Sequence, residues 1–135
     1  MFSILLEFIS VKEISTLLIY EVSKNFRLKS IDIQTPISAA KANVLDEKVC
    51  FVVILRAGLG MLSGALKMIP DATVGFVGMY RDEKTLQPVE YYSKFPADIN
   101  KSRVLILDPM LATGGSSSDA IELLKKNSAK DITLV

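Results

Sequence analysis

The run Arg103-Val104-Leu105-Ile106-Leu107-Asp108 continues into Pro109-Met110-Leu111-Ala112-Thr113-Gly114-Gly115-Ser116. It reads as an apolar strand that opens into a glycine-bearing loop. A helix is predicted from about Ser116 to Lys126, and a further strand over Asp131–Val135. Upstream, Cys50–Leu55 is an unbroken apolar run rich in β-branched residues, as expected of a strand buried on both faces of a parallel sheet. Gly58 to Met68 reads as a loop and helix stopped by Pro70, and Thr73–Tyr80 and Val89–Lys94 as strands. Between those two strands, Arg81–Pro88 is polar and reads as an extended loop. Strands alternating with helices predict an α/β fold, an open and mostly parallel sheet with flanking helices. Ligands of such sheets bind outside the carboxyl ends of the strands. That rule singles out Arg56, just past one buried strand, and Asp108, at the end of another.

Toward the N-terminus, Ile14, Leu17, Leu18 and Val22 recur at helical spacing, predicting a helix over Val11–Phe26. Met1–Val11 is apolar but carries Glu7, lacks a basic leader, and is too short to cross a bilayer, which takes ~20 apolar residues. It is expected to be an amphipathic helix docked on the core. Thr35-Pro36 breaks extended structure, and Ser38–Asn43 is predicted as a short helix. No repeat or linker divides residues 1–135, so one domain is expected.

Composition excludes several chemistries. Half of the 135 residues are hydrophobic and 23% are charged, enough apolar material for a core and too much for intrinsic disorder. Sixteen basic against fifteen acidic residues leave a formal charge of +1, so no broad basic surface asks for nucleic acid. The chain has no histidine, which removes Ser-His-Asp and Cys-His catalysis and His-bearing zinc sites. The single cysteine, Cys50, allows no internal disulfide and no Cys-rich metal site. No membrane association is expected, and a reducing cytoplasmic setting is the default.

The two loops carry the chemistry. Thr113-Gly114-Gly115-Ser116 lets the backbone approach a ligand, and the helix behind it points unpaired N–H groups and a positive dipole end into the loop. A phosphate monoester suits that place, with hydroxyls of Thr113, Ser116 and Ser117 as further donors. No lysine follows the glycines, so an ATPase-type P-loop is disfavoured. Asp108 would repel an anion beside it, and makes sense if it holds hydroxyls or a metal while the phosphate sits further round the loop. A plain strand-to-helix turn is the competing reading of the glycines. The second loop, Arg56-Ala57-Gly58-Leu59-Gly60, is a weak match to a dinucleotide fingerprint, because Ser63 stands at the third glycine and no acidic residue ends a strand at the expected distance. Arg56 beside a glycine-rich backbone suits a polyanion better. Taken alone, Tyr80-Arg81-Asp82-Glu83-Lys84 reads as a solvated loop of nearly cancelling charges.

Together, Leu55–Met61, Tyr80–Asp82, Pro88–Tyr92 and Leu107–Ser116 resemble the uracil phosphoribosyltransferase family, in its order and at its spacing. Ile19-Tyr20-Glu21 and Gln34-Thr35-Pro36 also look like family positions, so the resemblance runs from about Glu13 to Val135. It implies a type I phosphoribosyltransferase fold and a chain that transfers phosphoribosyl from phosphoribosyl pyrophosphate (PRPP) to uracil, giving UMP and pyrophosphate. By the family's pattern Asp108 lies against the ribose hydroxyls, and Ala112, Thr113, Gly114, Gly115 and Ser116 take the 5′-phosphate. Pro109, Met110 and Leu111 complete that PRPP loop. Arg56 and Arg81 match the pyrophosphate-binding arginines, and Asp108 and Arg56 are the implied catalytic residues. Mg²⁺ is the implied cofactor, arriving as the PRPP complex near Asp108, and a homodimer is the implied assembly. The family's uracil-reading stretch, Gly-Leu-Gly-Asp-Ala-Gly-Asp, has no counterpart in this sequence, and further polar segments precede its usual N-terminal region. The expectation is therefore a relative truncated at both ends, with a catalytically inactive PRPP- or nucleotide-binding fragment as the alternative reading.

Overall fold

A computed structural model describes residues 2–81 and 88–135, with side chains described for 9–80 and 89–135. Five strands form one sheet in the order β5-β4-β3-β6-β7: β3 is Lys48–Leu55, β4 Thr73–Arg81, β5 Pro88–Lys94, β6 Ser102–Leu107 and β7 Asp131–Leu134. β3 runs parallel to both β4 and β6, and β6 runs parallel to β7. Only β5, at one edge, is antiparallel, and it returns beside β4. The mostly parallel sheet expected from the apolar runs is thus present, and the two central strands are buried along nearly their whole length. Residues 82–87, the larger part of the predicted polar loop, lie outside the described residues.

Helices cover both faces. On one face α1 (Phe2–Ser23) and α2 (Leu59–Met68) pack over Val49, Phe51, Val53, Leu105 and Leu107. On the other, α3 (Gly115–Lys126) lays Ala120 and Leu124 against Cys50, Val52, Val104 and Ile106. Alternate residues of one strand therefore feed opposite cores, as a period of two requires. Burial at the sheet's centre pushes the Cys50 thiol pKa up, so the group stays a neutral, core-filling thiol.

α1 is one continuous helix where two segments were expected, and it ends at Ser23 rather than Phe26. Its inward stripe is Val11, Ser15, Ile19 and Val22. Ser15 is fully buried because its hydroxyl donates to the Met61 carbonyl at 2.8 Å, satisfying both groups across the helix pair. Gly64 of α2 lets the helices close, since a Cβ there would overlap the Lys12 carbonyl oxygen. Ile14, Leu17 and Leu18, part of the helical apolar pattern, face outward and are 54%, 68% and 41% exposed. No described helix is long and apolar enough to cross a membrane.

The expected short helix does not form. Ser38–Asn43 is not a helix: Ala39–Leu45 is a strand, β2, paired antiparallel with β1 (Leu28–Gln34) in a separate two-stranded hairpin. Thr35 closes its turn, its hydroxyl donating to the Ser38 carbonyl at 2.7 Å. Cross-strand pairing overrides the helix preference of Ala39, Ala40 and Ala42. The hairpin's base is clamped to the sheet by Arg103, which pairs with Glu47 and Asp131 and stacks on the Phe26 ring.

Candidate active site

The sheet order creates the site. From β3 the chain crosses to β4 on one side; after β5 it returns to lay β6 on the other side of β3. The connections leaving β3 and β6 therefore diverge at their shared carboxyl end, the switch point where open α/β sheets bind ligands. Register places Val53 opposite Leu107, so Asp108 leaves β6 level with Ile54, and Arg56 follows two residues further on at the same end of the sheet. A cavity of about 410 Å³ opens there, walled by Ile54, Leu55, Arg56 and Ala57 on one side and by Asp108, Met110, Leu111, Ala112, Thr113, Gly115 and Ser116 on the other. That is a ligand-sized volume.

The first wall is short and tightly seated. Gly58, buried, donates its amide to the Ile54 carbonyl at 2.9 Å. A Cβ on Gly58 would overlap the Leu107 carbonyl oxygen and stand 2.9 Å from that of Ile54. Only glycine lets this turn lie against the end of β6. Arg56 is exposed at the cavity mouth, and no carboxylate among the described residues pairs with it. The Leu55–Arg56 peptide bond is cis.

The second wall folds back on itself. Ala112 (φ 44°) and Gly114 (φ 75°) both take left-handed conformations, and the Gly114 amide closes a turn onto the Leu111 carbonyl at 2.7 Å. An alanine held at positive φ costs on the order of 1 kcal/mol, and such strain is characteristic of ligand loops. α3 then begins with no side-chain cap; its first helical bond runs from the Ser118 amide to the Gly114 carbonyl at 2.9 Å. The amides of Gly115, Ser116 and Ser117 precede that bond and have no intrahelical acceptor. With the positive end of the α3 dipole they present free donors of the kind that can hold an anion.

Asp108 lies at the inner rim, half-buried. Its Oδ2 accepts from the Ser117 hydroxyl at 2.9 Å, and its Oδ1 from the Met110 amide at 3.3 Å. The Asp108 amide in turn donates to the Val135 carbonyl at 3.3 Å, extending the β6–β7 ladder up to the site. The Ser117 hydroxyl, a candidate anion donor by sequence, is engaged by this carboxylate. The loop's remaining hydroxyls, on Thr113 and Ser116, do line the cavity. Pro109 and Gly114 shape the loop without forming its wall. Arg81 closes β4, and its side chain lies outside the described residues.

Among the described residues no group of three or more Asp, Glu, Cys or His could cage a metal ion. The carboxylate at the cavity is that of Asp108. This donor set suits Mg²⁺ carried by phosphate oxygens and water, the usual way that ion is held.

Two features were hidden from sequence reasoning. Gly58 was legible as a loop glycine, but its contact with β6 follows only from the strand order. The Ser117–Asp108 pair joins a strand end to the first turn of a helix nine residues later, and strand-turn-helix geometry was the one signal that could have suggested it.

The sequence model of the uracil phosphoribosyltransferase family matches residues 7–135. Curated relatives named uracil phosphoribosyltransferase include that of Clostridium tetani, 57% identical over 126 residues, covering 93% of this chain and 60% of the relative. That of Lactiplantibacillus plantarum is 57% identical over 123 residues, covering 90% and 59%. This chain therefore spans about 60% of the length of the curated relatives it matches. Among solved structures, a protein from Aquifex aeolicus superposes with a TM-score of 0.86 at 41% identity, over 94% of this chain and 61% of that one. A hypoxanthine phosphoribosyltransferase from Staphylococcus aureus superposes at 0.67 with 17% identity, over 95% and 62%, a likeness of fold alone.

Proposed function

Because the chain belongs to the uracil phosphoribosyltransferase family, we propose that the cavity between Arg56 and Ser116 binds PRPP and that the chain carries the phosphoribosyl-donor half of a transfer to uracil. The single observation that carries this reading is the meeting of Arg56, Asp108 and the α3 N-terminus around one cavity at the switch point. In it the loop Ala112–Ser116 takes the 5′-phosphate, with Pro109, Met110 and Leu111 setting its path. Asp108 accepts hydrogen bonds from the ribose hydroxyls, and Arg56 faces the pyrophosphate. Arg81 is the second pyrophosphate ligand by family pattern.

The chemistry follows from those positions. A uracil ring nitrogen attacks the anomeric carbon of PRPP as the carbon–oxygen bond to pyrophosphate breaks. A carbon–nitrogen bond forms, the nitrogen's proton passes to solvent, and UMP and pyrophosphate result. Positive charge develops on the ribose ring while negative charge gathers on the leaving group, so the guanidinium of Arg56 gains most from the transition state. Mg²⁺, when bound with PRPP near Asp108, would add charge neutralisation on the same oxygens. None of these steps calls for histidine.

The exposed apolar face of α1, Ile14, Leu17 and Leu18, together with Leu28, Ile31 and Ile33 of the hairpin, supports a homodimer in this reading. Residues 1–135 act as one unit of the longer family architecture, in a cytoplasmic setting. Sedimentation at two concentrations should show the two-chain species.

Calorimetric titration with PRPP and Mg²⁺ tests the function: one saturable site is expected, competed by inorganic phosphate. Absence of heat with folded protein would refute the binding reading. UMP formation from uracil and PRPP distinguishes the transferase from the inactive binding fragment. The identity above 50% to named uracil phosphoribosyltransferases favours the transferase.

A further inference from the structure

We propose that Ser117 is a positioning residue for Asp108, fixing the carboxylate so that its free lone pairs meet two neighbouring hydroxyls of the sugar. This rests on the PRPP reading above and assigns a task to a side chain outside that site's wall.

Ser117 is 3% exposed, third in α3, and buried beneath the loop. A serine there, in the first turn, would commonly help cap its own helix or face water. Here its hydroxyl points back across the strand end to Asp108 Oδ2 at 2.9 Å. The bond is charge-assisted, because an ionised carboxylate is its acceptor. The other carboxylate oxygen has only the longer contact to the Met110 amide, 3.3 Å, from a loop residue that is 72% exposed. Ser117 is therefore the firm anchor and Met110 the loose one.

An ionised carboxylate offers about four lone-pair positions. Two are taken by protein donors, which leaves two for a ligand in the cavity that Asp108 lines. That matches a vicinal diol, whose hydroxyls donate side by side. It does not match a phosphate, which the same carboxylate repels. Asp108 and Ser117 thus divide the site into a part that reads the sugar and a part, at Thr113–Ser116, that reads the phosphate.

The division gives the test. Titrate the chain with inorganic phosphate, with ribose 5-phosphate and with 2-deoxyribose 5-phosphate, using Ser117→Ala and Ser117→Thr beside the native protein. Losing one charge-assisted hydrogen bond to the anchor should weaken ribose 5-phosphate about tenfold in Ser117→Ala. Inorganic phosphate should bind all three proteins alike, 2-deoxyribose 5-phosphate should lose less than the ribose form, and Ser117→Thr should restore binding. Unchanged ribose 5-phosphate affinity in Ser117→Ala overturns the proposal while the phosphate loop stands. Equal loss of all three ligands, with a lowered melting temperature, overturns it in favour of a structural serine. If the native protein binds no phosphate, the PRPP reading fails and the positioning role falls with it.

Discussion

Arg56→Ala is expected to weaken PRPP binding about a hundredfold while leaving ribose 5-phosphate binding unchanged. Arg56 stands exposed at the cavity mouth on the far wall from the phosphate loop, so only a ligand long enough to cross the cavity can use it. In the proposed pose PRPP carries its pyrophosphate across that gap; ribose 5-phosphate has none. A guanidinium makes two parallel charge-assisted bonds to such a group, together worth roughly 3 kcal/mol, or about two decades in affinity. Stability should shift by less than about 0.5 kcal/mol, since an exposed side chain leaves no hole behind. Arg56→Lys should recover part of the loss, as a point charge cannot reproduce the planar fork. Calorimetry with both ligands and a thermal melt on each variant reads all of this. Equal weakening of both ligands would mean that Arg56 acts through the fold.

Gly58→Ala should have the larger effect on the molecule as a whole. The added Cβ overlaps the Leu107 carbonyl oxygen and meets Ile54 O at 2.9 Å and Val53 Cγ1 at 3.1 Å. Two of those neighbours are backbone atoms of the two central strands, so neither can swing aside as a side-chain tip would. Overpacking of this kind costs about 2–4 kcal/mol, or a melting temperature roughly 10 °C lower. The strain falls on the junction that holds the two cavity walls together, so PRPP affinity should drop as well. A variant with unaltered melting temperature and affinity would show that the turn can move off β6 without cost.

The parallel core was readable because Val52–Leu55 and Val104–Leu107 are continuous β-branched and leucine runs, a pattern typical of short strands buried on both faces. The loops were readable because strand, glycine and helix succeed one another within a dozen residues, and backbone geometry there is local. What stayed hidden depends on distant partners. Ala39, Ala40 and Ala42 favour helix by composition, yet lie in a strand because Ile33, Ile31 and neighbours of β1 pair with them. Nothing in Ile14, Leu17 and Leu18 says that their face of α1 turns away from the core, because the apolar pattern of that helix runs nearly all the way round. Ser117 read as one more hydroxyl beside the glycines until the fold brought Asp108 over it.

In the proposed function the phosphoribosyl donor sits where the loops from β3 and β6 diverge. A second cavity of about 400 Å³ lies at the opposite, amino-terminal end of these strands, beside Glu47, Lys48, Asp71 and Asp98. Amide chemical shifts of the labelled chain during titration with PRPP and Mg²⁺ separate the two. The largest changes are expected at Thr113, Gly115, Ser116 and Arg56, with Asp71 and Asp98 unmoved. Changes centred on Asp71 and Asp98, with a silent loop at Ala112–Ser116, would contradict it.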